Sequence, residues 1–182
     1  MLLEDQVVVI TGAGPGLGST LARRCAEEGA DVVVAARTKA NLDAIVKEVE
    51  ACGRRGLAVP TDVVDREQVR ALASNAHHEF GHIDVLVNAA FPPSHRKTVV
   101  EMDDDYLDFW RNALDIAGYG TLLACHYVAP FMVEAGKGSI VNLTSMSSRL
   151  AYAGRSDYAA GDISGEKAAR QLPGEGRRVS AS

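Results

Sequence analysis

The residues best suited to chemistry fall in three places along the chain. The first is Thr11-Gly12-Ala13-Gly14-Pro15-Gly16-Leu17-Gly18. Val7-Val8-Val9-Ile10 precede it, a run that reads as a fully buried strand. Ser19 to Glu28 follow and read as a helix. Strand, glycine turn and helix in that order open a dinucleotide-binding βαβ unit. Gly12 takes the chain out of the strand in a tight turn. Gly16 admits a pyrophosphate close to the backbone, and Gly18 lets helix and strand pack closely. The N–H groups at the helix start then face the phosphates. Gly12, Gly14, Gly16, Leu17 and Gly18 are therefore the candidate cradle. The second place is the set of strand ends that follow, where Arg37, Asp62 and Asn88 carry polar side chains. The third is the pair Ser145 and Tyr158, thirteen residues apart. A hydroxyl just past a strand and a phenol on the next helix can grip one carbonyl oxygen.

These residues need a frame. Gln6 to Thr11 is the first strand and Gly16 to Glu28 its helix. Leu17, Leu21, Ala22 and Cys25 fall at helical spacing and are expected to face the sheet. Val32 to Ala36 is a second buried strand. Asn41 to Ala51 is a helix with Leu42, Ile45, Val46 and Val49 on one face. Leu57 to Pro60 is a short third strand. Asp65 to Phe80 is a helix with Val69, Leu72, Ala73 and Ala76 inward, and Ile83 to Asn88 a central strand. Phe91 to Lys97 holds Pro92 and Pro93 and reads as a loop. Asp103 to Met132 reads as one long helix, irregular at Gly118, Gly120 and Pro130. Gly138 to Leu143 is a fifth strand, and a further helix starts at Ser156. Strands alternating with helices argue for an α/β fold: a Rossmann-like, doubly wound parallel sheet, order 3-2-1-4-5.

The chain has 182 residues, 47% hydrophobic, with a net charge of −5, and reads as one domain, residues 1–182. No basic stripe points to nucleic acid. No apolar run near the ~20 residues of a membrane span stands out, and Met1-Leu2-Leu3-Glu4-Asp5 lacks the features of a secretory signal. Cys25, Cys52 and Cys125 are isolated, without C-x-x-C. They read as apolar fillers in a reducing cytoplasm, and no metal site is expected.

The spacing T-G-x-x-x-G-x-G from Thr11 to Gly18 resembles the short-chain dehydrogenase/reductase family. Leu86-Val87-Asn88-Ala89-Ala90-Phe91 is similar to that family's L-V-N-N-A-G, with Ala89 and Phe91 as departures. Gly138 to Ser145 resembles its fifth strand leading to the catalytic serine, and Tyr158 stands at the family's distance from it. The resemblance spans about residues 5 to 161. It implies an oxidoreductase that moves a hydride between a nicotinamide and a small carbonyl or secondary alcohol. Ser145 would orient the oxygen, and Tyr158 would give or take the proton. At the end of the second strand Ala36 and Arg37 stand where an acid would select NAD. Arg37 can grip a 2′-phosphate, so NADP is favoured over NAD; the plainer reading is a solvated loop charge. Asp62-Val63 match the adenine-contacting position, or Asp62 serves as a helix cap ahead of Asp65. Asn88 matches a cofactor position, or is a strand-end hydrogen bonder.

The family's Y-x-x-x-K is broken. The chain reads Tyr158-Ala159-Ala160-Gly161-Asp162, so a carboxylate stands one turn beyond the phenol. The family lysine holds the nicotinamide ribose and lowers the tyrosine pKa; a carboxylate is expected to raise it. At an effective dielectric near 20 and about 5 Å, each unit charge is worth roughly 3 kcal/mol, enough to slow proton transfer by powers of ten. Lys167, nine residues on, falls on the opposite helix face. Ala117 replaces the relay asparagine of D-x-N-x-x-G. Gly176-Arg177-Arg178-Val179-Ser180-Ala181 resembles the start of a sixth strand, so residues 162–182 read as a divergent tail with the C-terminal strands missing. The fifth strand would then be an open edge, with Val141 and Leu143 beside unpaired backbone, so either marginal stability or association into a homo-oligomer is expected. Two readings follow: an NADP-dependent oxidoreductase, or a dinucleotide-binding pseudoenzyme or truncated remnant without turnover.

Overall fold

The computed structural model describes residues 1–92, 95–150, 152–169 and 178–181, with residues 165–169 and 178–181 described by backbone alone. Six strands form one parallel sheet: β1 Val7–Thr11, β2 Asp31–Ala36, β3 Gly56–Pro60, β4 Val85–Asn88, β5 Lys137–Asn142 and β6 Arg178–Ala181. Their order is β3-β2-β1-β4-β5-β6. The helices are α1 Leu17–Glu27, α2 Lys39–Ala51, α3 Arg66–Phe80, α4 Asp104–Leu114, α5 Thr121–Ala135 and α6 Ser156–Ala169.

A parallel strand covered on both faces needs apolar residues at every position, and β1 is buried throughout. The alternation of side chains sorts them. Val7 and Val9 join Val33, Leu72, Val128, Met132 and Ile140 in one core layer. Val8 and Ile10 join Val32, Val34, Ala22, Leu42, Ile45 and Val49 in the other. Near the entry ends of the strands the buried Asp84 accepts from the Val7 amide at 2.9 Å and lies 2.7 Å from Lys137 and 3.1 Å from His82. That carboxylate pins β1 and β5 to the chain entering β4.

Several expectations change. β6 pairs with β5 from Lys137↔Arg178 to Ile140↔Ala181, so β5 is not an edge and the argument from an open fifth strand falls. Gly176 and Arg177 of that motif lie outside the described residues. Leu17 does not face the sheet: it is 61% exposed, because the first turn of α1 sits over the turn beyond β1, whereas Leu21, Ala22 and Cys25 pack against the core. The long helix is interrupted by a π-helical turn, Asp115–Gly120, between α4 and α5. Length and composition alone would let Asp104–Ala135 cross a membrane, contrary to the reading that no such run stands out. Its apolarity is used in the core, where Leu123, Ala124, Cys125, Val128, Ala129 and Met132 are buried under the sheet.

Candidate functional site

The cradle lies at the carboxyl end of β1, at the switch point of the sheet, where open α/β sheets bind ligands. Gly12 has φ +73°, and a Cβ there would fall onto the backbone of Ala89 and Ala90. The turn after β1 and the turn after β4 are thus in backbone contact, which only glycine permits. A Cβ on Gly18 would lie 2.5 Å from the Gly12 carbonyl oxygen, so at Gly18 α1 meets the turn itself. Gly16 is the N-cap of α1 and no side chain caps that end. The Ser19 and Thr20 hydroxyls donate back to the Gly16 carbonyl at 2.9 Å and the Ser19 amide donates to the Gly14 carbonyl at 3.2 Å, so no side chain covers the start of the helix, where an anion is favoured.

A cleft of about 420 Å³ opens in front of this turn. Gly12, Gly14, Arg37, Asp62, Val63, Ala89 and Ala90 line it, as do Thr38, Thr61, Phe109, Asn112 and Ile116. Gly16, Leu17 and Gly18 are not among its lining residues. Lys39 is held by Asp43 at 2.7 Å, whereas Arg37 is exposed at the cleft and has no ion-pair partner among the described residues. Asp62 does not cap a helix. Asp65 caps α3, accepting from the Glu67 and Gln68 amides, while Asp62 accepts from the Val64 amide at 3.2 Å and stays at the cleft wall. Asn88 is not brought to the cleft. It is 5% exposed and sits in one register row with Thr11 and Asn142 across β1, β4 and β5. It accepts from the Thr11 hydroxyl at 3.2 Å and donates to Asn142 Oδ1 at 2.8 Å, a network that fixes the strand ends. The plainer alternative for Asn88, a strand-end hydrogen bonder, is what the packing displays.

Ser145 and Tyr158 line one second cavity, about 520 Å³, with Arg96, Ser147, Tyr152 and Arg155. Ser145 starts a short 3₁₀ turn, Met146–Ser148, and its Oγ accepts from the Ser147 amide at 3.1 Å. Its proton goes elsewhere: the hydroxyl donates to Asp162 Oδ2 at 2.5 Å. Asp162 is 3% exposed. Burial pushes its carboxyl above the usual carboxylate value, and the Ser145 bonds oppose that rise. The position one turn past Tyr158 thus acts on the serine, a partner that helical spacing alone does not reveal.

Phe91 was legible only as a bulky departure. Its ring packs against Tyr158 at a tilt of 46°, with centroids 4.3 Å apart. A Cβ on Gly161 would lie 2.9 Å from both Phe91 Cζ and Ala117 Cβ. Phe91 and Ala117, two departures far apart in sequence, therefore meet against Gly161 beside Tyr158, and Phe91 also walls the cleft.

The raised value of Asp162 has a stability consequence. A carboxyl that holds its proton longer in the folded state gives stability that falls as pH rises. The fall starts near the ordinary value of 3.8 and ends at the raised folded value. Asp162→Asn is expected to remove this part of the pH dependence, so its advantage over the parent grows across that window. Urea unfolding over a pH series checks this, and a pH-independent difference would count against it.

Residues 6–178 match the family model described as short chain dehydrogenase. An uncharacterized oxidoreductase of Mycobacterium tuberculosis is 36% identical over 157 residues, 86% of this chain; the chain spans 58% of that relative's length. A short chain dehydrogenase from Mycobacterium smegmatis superposes with a TM-score of 0.85 at 32% identity, covering 93% of this chain and 70% of that one. An NAD+-bound xylitol dehydrogenase gives 0.88 at 25% identity, covering 94% and 66%. With its cradle, sheet order and family match in agreement, this chain belongs to the short-chain dehydrogenase family of oxidoreductases.

Proposed function

We propose that the chain binds NADP(H) in the glycine cleft and carries a carbonyl-reducing, alcohol-oxidising site built on Ser145 and Tyr158, slowed by Asp162. The observation that carries the reading is the cradle. Gly12 meets the Ala89–Ala90 backbone, the α1 end is uncapped, and Arg37 and Asp62 stand on the same cleft wall. These groups fit a dinucleotide: backbone N–H for the pyrophosphate, Arg37 for a 2′-phosphate, and the Asp62–Val63 segment for the adenine. When bound and reduced, the dinucleotide supplies the hydride. Tyr158 then gives its phenolic proton to the carbonyl oxygen, or takes one from an alcohol in reverse. Ser145 orients that oxygen only after its O–H leaves Asp162, which is the step that slows turnover. The setting that fits three isolated free cysteines is a reducing cytoplasm, and the partners are small molecules.

The Ser145–Asp162 bond and the absence of the family lysine favour a second reading, a dinucleotide-binding protein with no turnover. NADPH oxidation with a ketone panel separates the two: measurable ketone-dependent turnover supports the first and its absence the second. Both readings place NADP above NAD. Arg37→Ala is expected to lower NADP+ affinity at least about tenfold, the worth of a charge-assisted hydrogen bond, with little effect on NAD+. Tryptophan fluorescence titration checks this. Equal loss for both dinucleotides, or none for NADP+, contradicts the role given to Arg37.

A further inference from the structure

The second cavity has a charge pattern that the proposed chemistry does not require. Arg96 and Arg155 both line it beside Ser145 and Tyr158, and among the described residues no carboxylate does. Neither guanidinium has an ion-pair partner among the described residues. The neighbouring cation Lys97 is different, since Asp103 holds it at 2.6 Å. The nearby acids are withdrawn: Asp157 and Asp162 are 1% and 3% exposed.

The two arginines come from separate segments brought together by packing. A Cβ on Gly154 would lie 3.6 Å from the Arg96 carbonyl carbon and Cβ, so the turn before α6 rests on the 96–97 backbone. The first segment is anchored by the Tyr106 hydroxyl, which donates to the His95 carbonyl at 2.7 Å. The second is anchored by the Arg155 amide, which donates to the Tyr152 carbonyl at 3.2 Å. Arg155 is half-buried, and its guanidinium lies 5.4 Å above the Tyr158 ring. That contact fixes a planar fork over the phenol, with its N–H edges left to meet an oxyanion.

We propose that this cavity takes carbonyl substrates that carry a carboxylate, oxo acids as a class, with Arg155 and Arg96 as the carboxylate-binding residues. The inference rests on the reading of Ser145 and Tyr158 as the carbonyl site. A neutral ketone would leave two guanidiniums facing it unpaired, whereas an oxo acid satisfies them while its carbonyl reaches the hydroxyl pair.

The test uses the full chain with saturating NADP+ and two probes that differ by one charge, 4-oxo-4-phenylbutanoate and its methyl ester, titrated by calorimetry. The acid is expected to bind at least about tenfold tighter than the ester. Its affinity is expected to fall at least about threefold between about 20 and 200 mM salt, as the Debye length shortens. The double variant Arg96→Gln with Arg155→Gln is expected to bind the acid no tighter than the ester, and Arg155→Lys to recover part of the preference. Equal affinity of acid and ester on the parent overturns the proposal without needing any variant to fold. So does binding of neither probe, or a preference that survives in the double variant. Titration of NADP+ alone separates this from the parent reading. Dinucleotide binding without acid preference refutes only the oxo-acid inference, whereas acid preference without dinucleotide binding refutes only the dinucleotide reading.

Discussion

Asp162→Lys is expected to raise NADPH-dependent ketone reduction by at least two powers of ten, or to create it. The substitution does two things at one place. It removes the acceptor of the Ser145 proton, freeing that O–H for a carbonyl oxygen. It also reverses a unit charge on the face shared with Tyr158, worth roughly 3 kcal/mol per charge at about 5 Å and an effective dielectric near 20. Asp162→Asn separates the effects: it discharges the site without adding a cation, so its gain is expected to be smaller. Initial rates at saturating NADPH are measured for the parent, both single variants, and Asp162→Lys combined with Tyr158→Phe. A lysine variant no faster than the parent while still binding NADPH would show that Asp162 does not limit the site. A double variant that keeps the gained rate would remove Tyr158 from the acid role.

Gly12→Ala is expected to cost stability and the cradle together. A non-glycine residue held at positive φ costs about 1–2 kcal/mol. The added methyl would also fall on the Ala89–Ala90 backbone, where no flexible side chain can move aside. The two turns must then separate, so the total loss is expected at about 3–5 kcal/mol, large against the ~5–15 kcal/mol of a typical domain. The midpoint of urea unfolding reads this directly. A loss under about 1 kcal/mol would mean that the β1 and β4 turns do not touch as described. Gly14, whose Cβ would meet nothing within 4 Å, is the matched control: Gly14→Ala is expected to keep the parent's stability far better.

Much of the frame was legible because its signals are local. The β-branched runs of β1 and β2 announce a parallel sheet covered on both faces, and Gly12 to Gly18 between strand and helix announce the cradle. What was not legible depends on where side chains from distant segments point. Helical periodicity put Leu17 inward, but periodicity does not say where the sheet ends beneath the first turn. Asn88 carries a cofactor-site signature, yet its register row with Thr11 and Asn142 turns it into the sheet. Asp162 was read through its helical neighbour Tyr158. Its hydrogen-bond partner Ser145 comes from the end of β5, and only the packing of α6 against that strand end brings them together. The start of a sixth strand was legible at Arg178 to Ala181, but four residues carry too little pattern to show that they pair with β5 and close its edge. Phe91 and Ala117 looked like separate departures, and only the space they share against Gly161 relates them.

The most direct test of the account is a calorimetric titration of NADPH into the parent chain. Saturable binding of one NADPH per chain, with NADH at least about tenfold weaker, is the predicted result. No saturable heat with either dinucleotide, or NADH binding the tighter of the two, would contradict it.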